Sequence, residues 1–281
     1  MKKRLMLGAV AYCPNVVTIW EGFKVWFAKN DLDFDMILYS NYEALVEGQF
    51  AGHVDIAWNS PLAWVQVERV ARQRGMRAEA IAMRDTDQDL TSVIVVREDS
   101  GIHSLEDLKG KTVGVGAKDS PQATLIPLNH LAGAGLQSNQ DFKVLPFDRL
   151  VGKHGDHIGG ERDAATALMQ GEADAACMID GNYQLFEQEG TIPLGKTRVL
   201  ARTDPYDHCC FTVLEDAPKE TVNRFVELLL SMSYDDPEVR PLFDLENLKA
   251  WRRGRTEGFA QLNEAVDRFD YLGDFLDQMK S

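Results

Sequence analysis

The sequence lacks an apolar run of the roughly 20 residues that a membrane-spanning helix needs, and it lacks both a long polar tract and a strongly basic patch. The missing polar tract argues against extended disorder. Acidic residues outnumber basic ones by 44 to 30, which gives a formal net charge of −14. Nucleic acid and anionic membrane surfaces should therefore be repelled. We expect no nucleic-acid partner and no membrane insertion.

Cysteine is scarce, with four residues of which Cys209 and Cys210 are adjacent. An adjacent pair seldom suits a simple disulfide framework, so free thiols are expected, as in a reducing cytoplasm. The chain starts with a basic head and a short apolar run, but no small-residue cleavage site follows. We interpret Leu5 to Tyr12 as a core strand rather than a secretory signal. The predicted location is cytoplasmic if Met1 is the native start, and periplasmic or extracellular if a leader preceded it.

Strand-like and helix-like segments alternate along the 281 residues, which is typical of an α/β fold in which helices cover a largely parallel sheet. One segment, NVVTIWEGFKVWFAK, shows the helical period clearly. It predicts a helix over residues 15–29 with a single apolar face. That face is formed by Val16, Ile19, Phe23, Trp26 and Phe27.

A short internal repeat predicts two equivalent lobes. A helix, a glycine and a short strand occur around residues 52–57 and again around residues 171–176. Ligands of open α/β sheets bind beyond the carboxyl ends of the strands, so two lobes predict a ligand cleft between them.

The lobe boundaries are predicted from two strand-like segments, residues 91–99 and 198–213, which would carry the chain across and back. Lobe one is expected to comprise residues 1–95 and 206–281. Lobe two is expected to comprise residues 96–205.

Three segments resemble the phosphate and phosphonate substrate-binding family, the phosphonate-binding components of ABC importers. They are SLEDLKGK at residues 104–111 with the strand and Asp119-Ser120 that follow, VDIAWNSPL at residues 54–62, and GEADA at residues 171–175. The resemblance implies a two-lobed type II periplasmic-binding-protein fold, a cleft that closes on a small anionic ligand, and an ABC-transporter permease as partner.

The resemblance also implies an oxyanion site at a helix start, where the family carries a Ser-Thr-Ser turn. This chain instead has the run DSPQAT at residues 119–124, which retains one hydroxyl of the triplet. Backbone N–H groups at a helix start carry the positive end of the helix dipole and can hold an anion. The alternative is that Asp119 or Ser120 only caps the helix.

The other predicted ligand contacts follow strand ends or lie near helix starts. An acidic residue at position 180 suggests a cationic group on the ligand, such as an amine, although Asp180, Gly181 and Asn182 together are also good turn residues. Tyr183 follows them directly. The predicted ligand-binding set is Tyr12, Tyr42, Asn59, Ser60, Ser120, Gln122, Ala123, Thr124, Glu161, Asp180 and His208.

The stretch KHGDHIGGERDAA, residues 153–165, is unusually rich in titratable groups. Together with His208, Cys209 and Cys13 it can supply histidine, carboxylate and thiol groups, a set that suits a transition metal or acid–base catalysis. No cofactor is otherwise expected, and the spacing matches no established zinc pattern. The candidate metal ligands are His154, His157, Glu161 and Cys209.

Two functions therefore remain open. The first is a substrate-binding protein that takes a small anion, phosphonate-like or an organic acid, to an importer. The second is a cytoplasmic enzyme on the same fold, of lyase or decarboxylase type. In the enzyme, His154 or His157 would be the general base, Arg162 would stabilise a carboxylate, and Cys13 or Cys209 would be a nucleophile or ligand.

Overall fold

The computed structural model describes residues 4–155 and 159–280. The strands in chain order are β1 (Leu5–Val10), β2 (Phe34–Tyr39), β3 (Ile56–Asn59), β4 (Ala78–Arg84), β5 (Ser92–Arg97), β6 (Thr112–Val115), β7 (Lys143–Pro146), β8 (Ala175–Ile179), β9 (Thr197–Arg202), β10 (Cys210–Leu214) and β11 (Trp251–Arg253). The helices are α1 (Asn15–Lys29), α2 (Tyr42–Phe50), α3 (Pro61–Gln73), α4 (Ile126–Gly133), α5 (Glu161–Gln170), α6 (Asp180–Gln188), α7 (Lys219–Ser231), α8 (Arg240–Leu245), α9 (Ala260–Arg268) and α10 (Gly273–Gln278). Within these described ranges, no helix has the length and apolar character to cross a membrane.

The chain divides into two compact units. Unit 1 comprises Met1–Gln88, Asp207–Phe259 and Leu272–Ser281, and unit 2 comprises Asp89–Tyr206 and Ala260–Tyr271. The expected boundaries place residues 260–271 with the first lobe, whereas the structure places them in unit 2. The reason is that α9 packs on α4, where Arg268 Nε donates a hydrogen bond to Asn129 Oδ1 at 2.6 Å.

Unit 1 is built on a sheet with the strand order β11-β4-β10-β3-β1-β2. β1 is parallel to both β2 and β3, whereas β10 is antiparallel to β3 and β4. The carboxyl ends of the three parallel strands therefore lie at one edge of the sheet, and the helices α1, α2 and α3 begin there. This edge carries several of the predicted ligand contacts.

Unit 2 has a sheet with the strand order β7-β6-β8-β5-β9. β6 is parallel to β7 and β8, and β5 runs antiparallel to β8 and β9. After β6 the chain forms a π-helical turn, Pro121–Leu125, before α4. The carboxyl ends of β6 and β8 thus bring the π-helical turn and the start of α6 to one edge of this sheet.

The internal repeat corresponds to the same hydrogen-bonded junction in each unit. Asp55 donates its backbone N–H to Met6 O at 2.9 Å and accepts the Met6 N–H on Oδ2 at 2.9 Å. Asp174 makes the equivalent pair with Thr112, at 2.8 and 2.9 Å. Each aspartate therefore fixes the register between two neighbouring parallel strands, which explains why the short motif occurs once per unit.

The predicted apolar helix over residues 15–29 is confirmed with the bounds Asn15–Lys29. One member of its buried face differs, because Trp20 is buried whereas Trp26 is only half-buried. Trp20 contacts the rings of Trp58 and Phe211, with centroids 6.4 and 5.9 Å away. This aromatic cluster holds α1 against the sheet of unit 1.

Candidate functional site

In unit 1, the two predicted residues at the carboxyl end of β3 are buried and hydrogen-bonded within the unit. Asn59 Nδ2 donates to Thr212 Oγ1 at 2.8 Å, and Ser60 Oγ accepts the Ala63 N–H at 3.1 Å to cap α3. Both side chains are inaccessible to solvent. Asn59 Oδ1 accepts no hydrogen bond from any described residue.

The two predicted tyrosines of unit 1 differ in their surroundings. Tyr42 is 1% exposed and belongs to a core cluster with Val10 and Leu45, so its ring is a packing element at the start of α2. Tyr12 is half-buried and packs, like Cys13, on the larger core cluster. The residue that caps α2 is Asn41, whose Oδ1 accepts the Ala44 N–H at 2.8 Å.

In unit 2, the polar side chains of the predicted oxyanion turn bond to their own backbone. Ser120 Oγ accepts the Ala123 N–H at 3.2 Å, which is the capping arrangement. Thr124 Oγ1 donates to Ala117 O at 2.8 Å. The turn has a π-helical hydrogen-bond pattern, which is rare and often marks functional positions.

A glycine-rich loop lies directly against this turn. Gln122 Nε2 donates to Gly155 O at 3.0 Å, and Ala117 N donates to Gly159 O at 3.0 Å. A Cβ atom on Gly155 would lie 2.6 Å from Ser120 Cβ. His154, predicted as base or ligand, belongs to this loop and is 1% exposed, whereas His157 lies outside the described residues.

Glu161 places a buried carboxyl group at the start of α6. Its Oε2 accepts the Ile179 N–H and the Asn182 side-chain N–H, both at 2.9 Å. The side chain is 0% exposed. A helix start is a favourable place for an anion. At the start of α6, the Glu161 side chain of the same unit occupies this place.

The remaining charged residues predicted in unit 2 are engaged in ion pairs. Asp180 lies 2.8 Å from the guanidinium of Arg202, and Arg162 Nε lies 2.7 Å from Glu189 Oε1. The Arg162 side chain is 41% exposed, which is a surface arrangement. Tyr183 hydroxyl lies 3.1 Å from Thr197 Oγ1.

Unit 1 contains a buried polar cluster that the sequence reasoning only partly identified. His208 Nδ1 lies 3.1 Å from Cys209 Sγ and 3.4 Å from Asp87 Oδ1. Arg84 binds Asp87 with two nitrogens and reaches Glu246 Oε2 at 3.0 Å. His208 and Cys209 were predicted, whereas Asp87 and Arg84 were missed.

The predicted metal set of His154, His157, Glu161 and Cys209 stays a prediction, and His157 lies outside the described residues. Cys209 belongs to unit 1, while His154 and Glu161 belong to unit 2. Among the described residues, the group with metal-ligand spacing that contains Cys209 includes Asp87 and His208 instead. The missed signal is the acidic run RDTDQD at residues 84–89, which lies opposite DHCC at residues 207–210.

Burial by itself raises the pKa of the Asp87 carboxyl, but the charge of Arg84 and the hydrogen bonds from His208 and Arg84 outweigh it. The pKa falls from 3.8 to about 2. Because the folded-state pKa is depressed, the carboxylate contributes stability above about pH 4 and loses it as the pH falls toward 2.

The lowered pKa of Asp87 predicts how the stability of the Asp87→Asn variant depends on pH. The unfolding free energy of wild type should exceed that of Asp87→Asn most at neutral pH, and the gap should shrink by roughly 1 kcal/mol by about pH 3. Urea titrations across that range measure it. Asp99→Asn, at a side chain that is 91% exposed, is the matched control and should differ little from wild type throughout. A gap that does not change with pH contradicts the assignment.

Comparison with known proteins identifies the family. A family model described as "ABC transporter, phosphonate, periplasmic substrate-binding protein" matches residues 15–263, most of the chain. The chain belongs to this family. Membership confirms the resemblance drawn from the sequence, and it favours substrate binding over the predicted lyase or decarboxylase.

Individual relatives agree with this assignment. The probable ABC transporter phosphite-binding protein PhnD1 of Prochlorococcus marinus strain MIT 9301 is 30% identical over 164 residues, which cover 56% of this chain and 50% of that protein. The match thus spans about half the length of this curated relative.

Solved structures show the same fold. PhnD1 from Prochlorococcus marinus in complex with methylphosphonate has a TM-score of 0.70 at 19% identity, covering 95% of this chain and 98% of its own. XAC2383 from Xanthomonas citri bound to ATP has a TM-score of 0.72 at 17% identity, covering 96% and 98%. The predicted type II periplasmic-binding-protein fold is confirmed.

Proposed function

We propose that this protein binds a small phosphorus oxyanion, such as a phosphonate or phosphite, and delivers it to the permease of an ABC importer. The family match over residues 15–263 carries the proposal. Phosphite and methylphosphonate, named for PhnD1, and ATP, named for XAC2383, all present phosphorus–oxygen anions. A carboxylate of an organic acid is the alternative ligand, since the same helix starts can hold it.

The π-helical turn after β6 is the proposed contact for the anion in unit 2. At the start of α6, the Glu161 side chain already accepts the Ile179 N–H at 2.9 Å, so this donor is not available to a second acceptor. At the other helix start, Ser120, Gln122 and Thr124 are buried polar residues. Their hydroxyl and amide groups can turn toward a ligand that replaces their present backbone partners.

A cationic group on the ligand is not required by this arrangement. Asp180, which suggested an amine on the ligand, is already paired with Arg202 at 2.8 Å. The proposed ligand is therefore an anion whose substituent need not be charged. We further propose that binding needs no cofactor and that the protein works in the periplasm; the second point is supported by the word "periplasmic" in the family description.

Calorimetric titration with a panel of ligands tests the proposal. Phosphite, methylphosphonate, phosphate and ATP are compared with methanesulfonate, sulfate and acetate at fixed ionic strength. We expect at least one phosphorus oxyanion to bind roughly tenfold or more tightly than the matched sulfur or carbon anion. No detectable binding of any phosphorus compound, or a preference for acetate, contradicts the proposal.

The turn itself is tested by Ser120→Ala. Losing a hydrogen bond to a charged ligand costs about 1.5 to 3 kcal/mol, or about 10- to 100-fold in affinity. Ser104→Ala is the matched control, because Ser104 also caps a short helix but lies exposed in a capping box. Both variants lose a cap, so unchanged affinity in Ser104→Ala together with weakened affinity in Ser120→Ala locates the ligand. Equal affinity in the two variants removes Ser120 from the site.

A further inference from the structure

The cluster of Asp87, His208 and Cys209 is not used by the proposed anion site. One ligand atom from each of the three side chains lies within 4.8 Å of the other two. They supply a carboxylate oxygen, an imidazole nitrogen and a sulfur, the three atom types that bind divalent transition metals. All three residues belong to unit 1.

The spacing of these atoms is close to that of metal ligands. With bonds of about 2.0 to 2.3 Å, two ligands of a tetrahedral ion are separated by about 3.3 to 3.6 Å. His208 Nδ1 lies 3.4 Å from Asp87 Oδ1 and 3.1 Å from Cys209 Sγ. An ion between them therefore needs the thiol and the imidazole to separate by only a few tenths of an ångström.

The surroundings hold the three side chains in place before any ion arrives. The backbone N–H of His208 donates to Asp87 O at 2.8 Å, and that of Cys209 donates to Asp87 Oδ1 at 3.3 Å. Arg84 orients the carboxylate of Asp87 through two hydrogen bonds. Such hydrogen bonds to a ligating carboxylate are a regular feature of metal sites.

The exposure of the three side chains and their ligand types bear on which metal ion the cluster can bind. The side chains of Asp87 and His208 are 2% and 12% exposed and Cys209 is 3% exposed, so the imidazole is the most exposed of the three groups. A thiolate next to an imidazole favours zinc, cobalt or copper over magnesium or calcium, which prefer sites made of oxygen alone.

We propose that Asp87, His208 and Cys209 form a binding site for one divalent transition metal ion of the zinc or cobalt type. The ion binds Oδ1, Nδ1 and the Cys209 thiolate, and water takes the fourth position. The thiol proton and any proton on Nδ1 pass to solvent on binding. The ion then joins the segments at residues 84–88 and 207–209, where the chain leaves and re-enters unit 1.

Cobalt binding tests the proposal directly. The full-length protein, without an affinity tag and after treatment with a chelator, is titrated with Co²⁺ while its near-ultraviolet and visible spectrum is recorded. We expect one Co²⁺ per chain, with the sulfur-to-cobalt charge-transfer absorption of a thiolate ligand and the visible bands of a tetrahedral ion. Added Zn²⁺ should displace the cobalt. Absence of the charge-transfer absorption at one equivalent overturns the proposal without recourse to any variant.

Variants then identify the ligands. Cys209→Ser should abolish the charge-transfer absorption, and His208→Asn should weaken Co²⁺ binding by at least about 10- to 100-fold, the effect of losing even an outer partner of a metal site. Cys177→Ser is the matched control, because Cys177 is buried in unit 2. Circular dichroism confirms that each variant is folded. A charge-transfer absorption that survives in Cys209→Ser, or is lost in Cys177→Ser, refutes the assignment.

Discussion

Replacing Arg84 with methionine is expected to lower the free energy of unfolding by about 3 to 5 kcal/mol, the cost of breaking a buried ion pair from one side. Arg84 contacts two buried carboxylates, Asp87 through both Nε and Nη2 and Glu246 through Nη1. The Arg84 side chain is 16% exposed and the two carboxylates 2% and 3%. Methionine keeps much of the volume but leaves both carboxylates without this cation.

Urea unfolding followed by tryptophan fluorescence measures the loss. Arg72→Met is the matched control, since Arg72 pairs with Glu68 at 3.1 Å but is 74% exposed. Pairs of that kind contribute about 0.3 to 0.5 kcal/mol. The double variant Arg84→Met/Asp87→Asn should recover part of the loss, because it removes one of the buried charges that the single variant leaves. Similar losses for Arg84→Met and Arg72→Met mean that the buried pair contributes little.

The local parts of the fold were predictable because they depend on neighbours in the sequence. The helical period alone gave the bounds of α1, and the glycine and aspartate of the repeat marked the junctions at Asp55 and Asp174. The helical period did not show that Trp20, rather than Trp26, lies on the buried face of α1. The position of Trp20 depends on Trp58 and Phe211, which reach α1 from distant strands.

Non-local pairing explains what the sequence did not show. The predicted crossing at residues 198–213 is divided between β9 in unit 2 and β10 in unit 1. The backbone of Tyr206 pairs with that of Leu90 between these strands. Asp87 and Cys209 are 122 residues apart in the chain. The backbone pairing of the two segments brings Asp87 and Cys209 together. A search for metal-ligand spacing within one segment of the sequence could therefore not find the cluster.

The candidate site shows the same division. The sequence correctly predicted that Asn59, Ser60 and Ser120 lie at a strand end or a helix start. The direction of each side chain was not predictable, because it depends on local competition for hydrogen bonds. Ser120 and Thr124 bond to their own turn, and Arg162 pairs with Glu189 at the surface.

The glycine at the start of α5 provides the second prediction with a large effect. Gly160 has a φ of 93°, and a Cβ atom there would lie 2.1 Å from Phe147 O. Gly171, at the other end of the same helix, has a φ of 79° with nothing within 4 Å of the added atom. Alanine should cost about 1 to 2 kcal/mol at either position for the left-handed backbone. At Gly160 the clash should add about 1 to 3 kcal/mol.

The two alanine variants thus separate the backbone conformation from the close approach. Gly160→Ala must displace either Phe147 or the beginning of α5, which carries Glu161 and follows the loop that lies against Ser120. We therefore expect Gly160→Ala to lose both stability and ligand affinity, whereas Gly171→Ala loses only stability. Urea unfolding and calorimetric titration with the tightest phosphorus oxyanion give both quantities. Equal stability losses would show that the clash at Gly160 is relieved without cost, and unchanged ligand affinity in Gly160→Ala would show that the loop has no part in shaping the anion site.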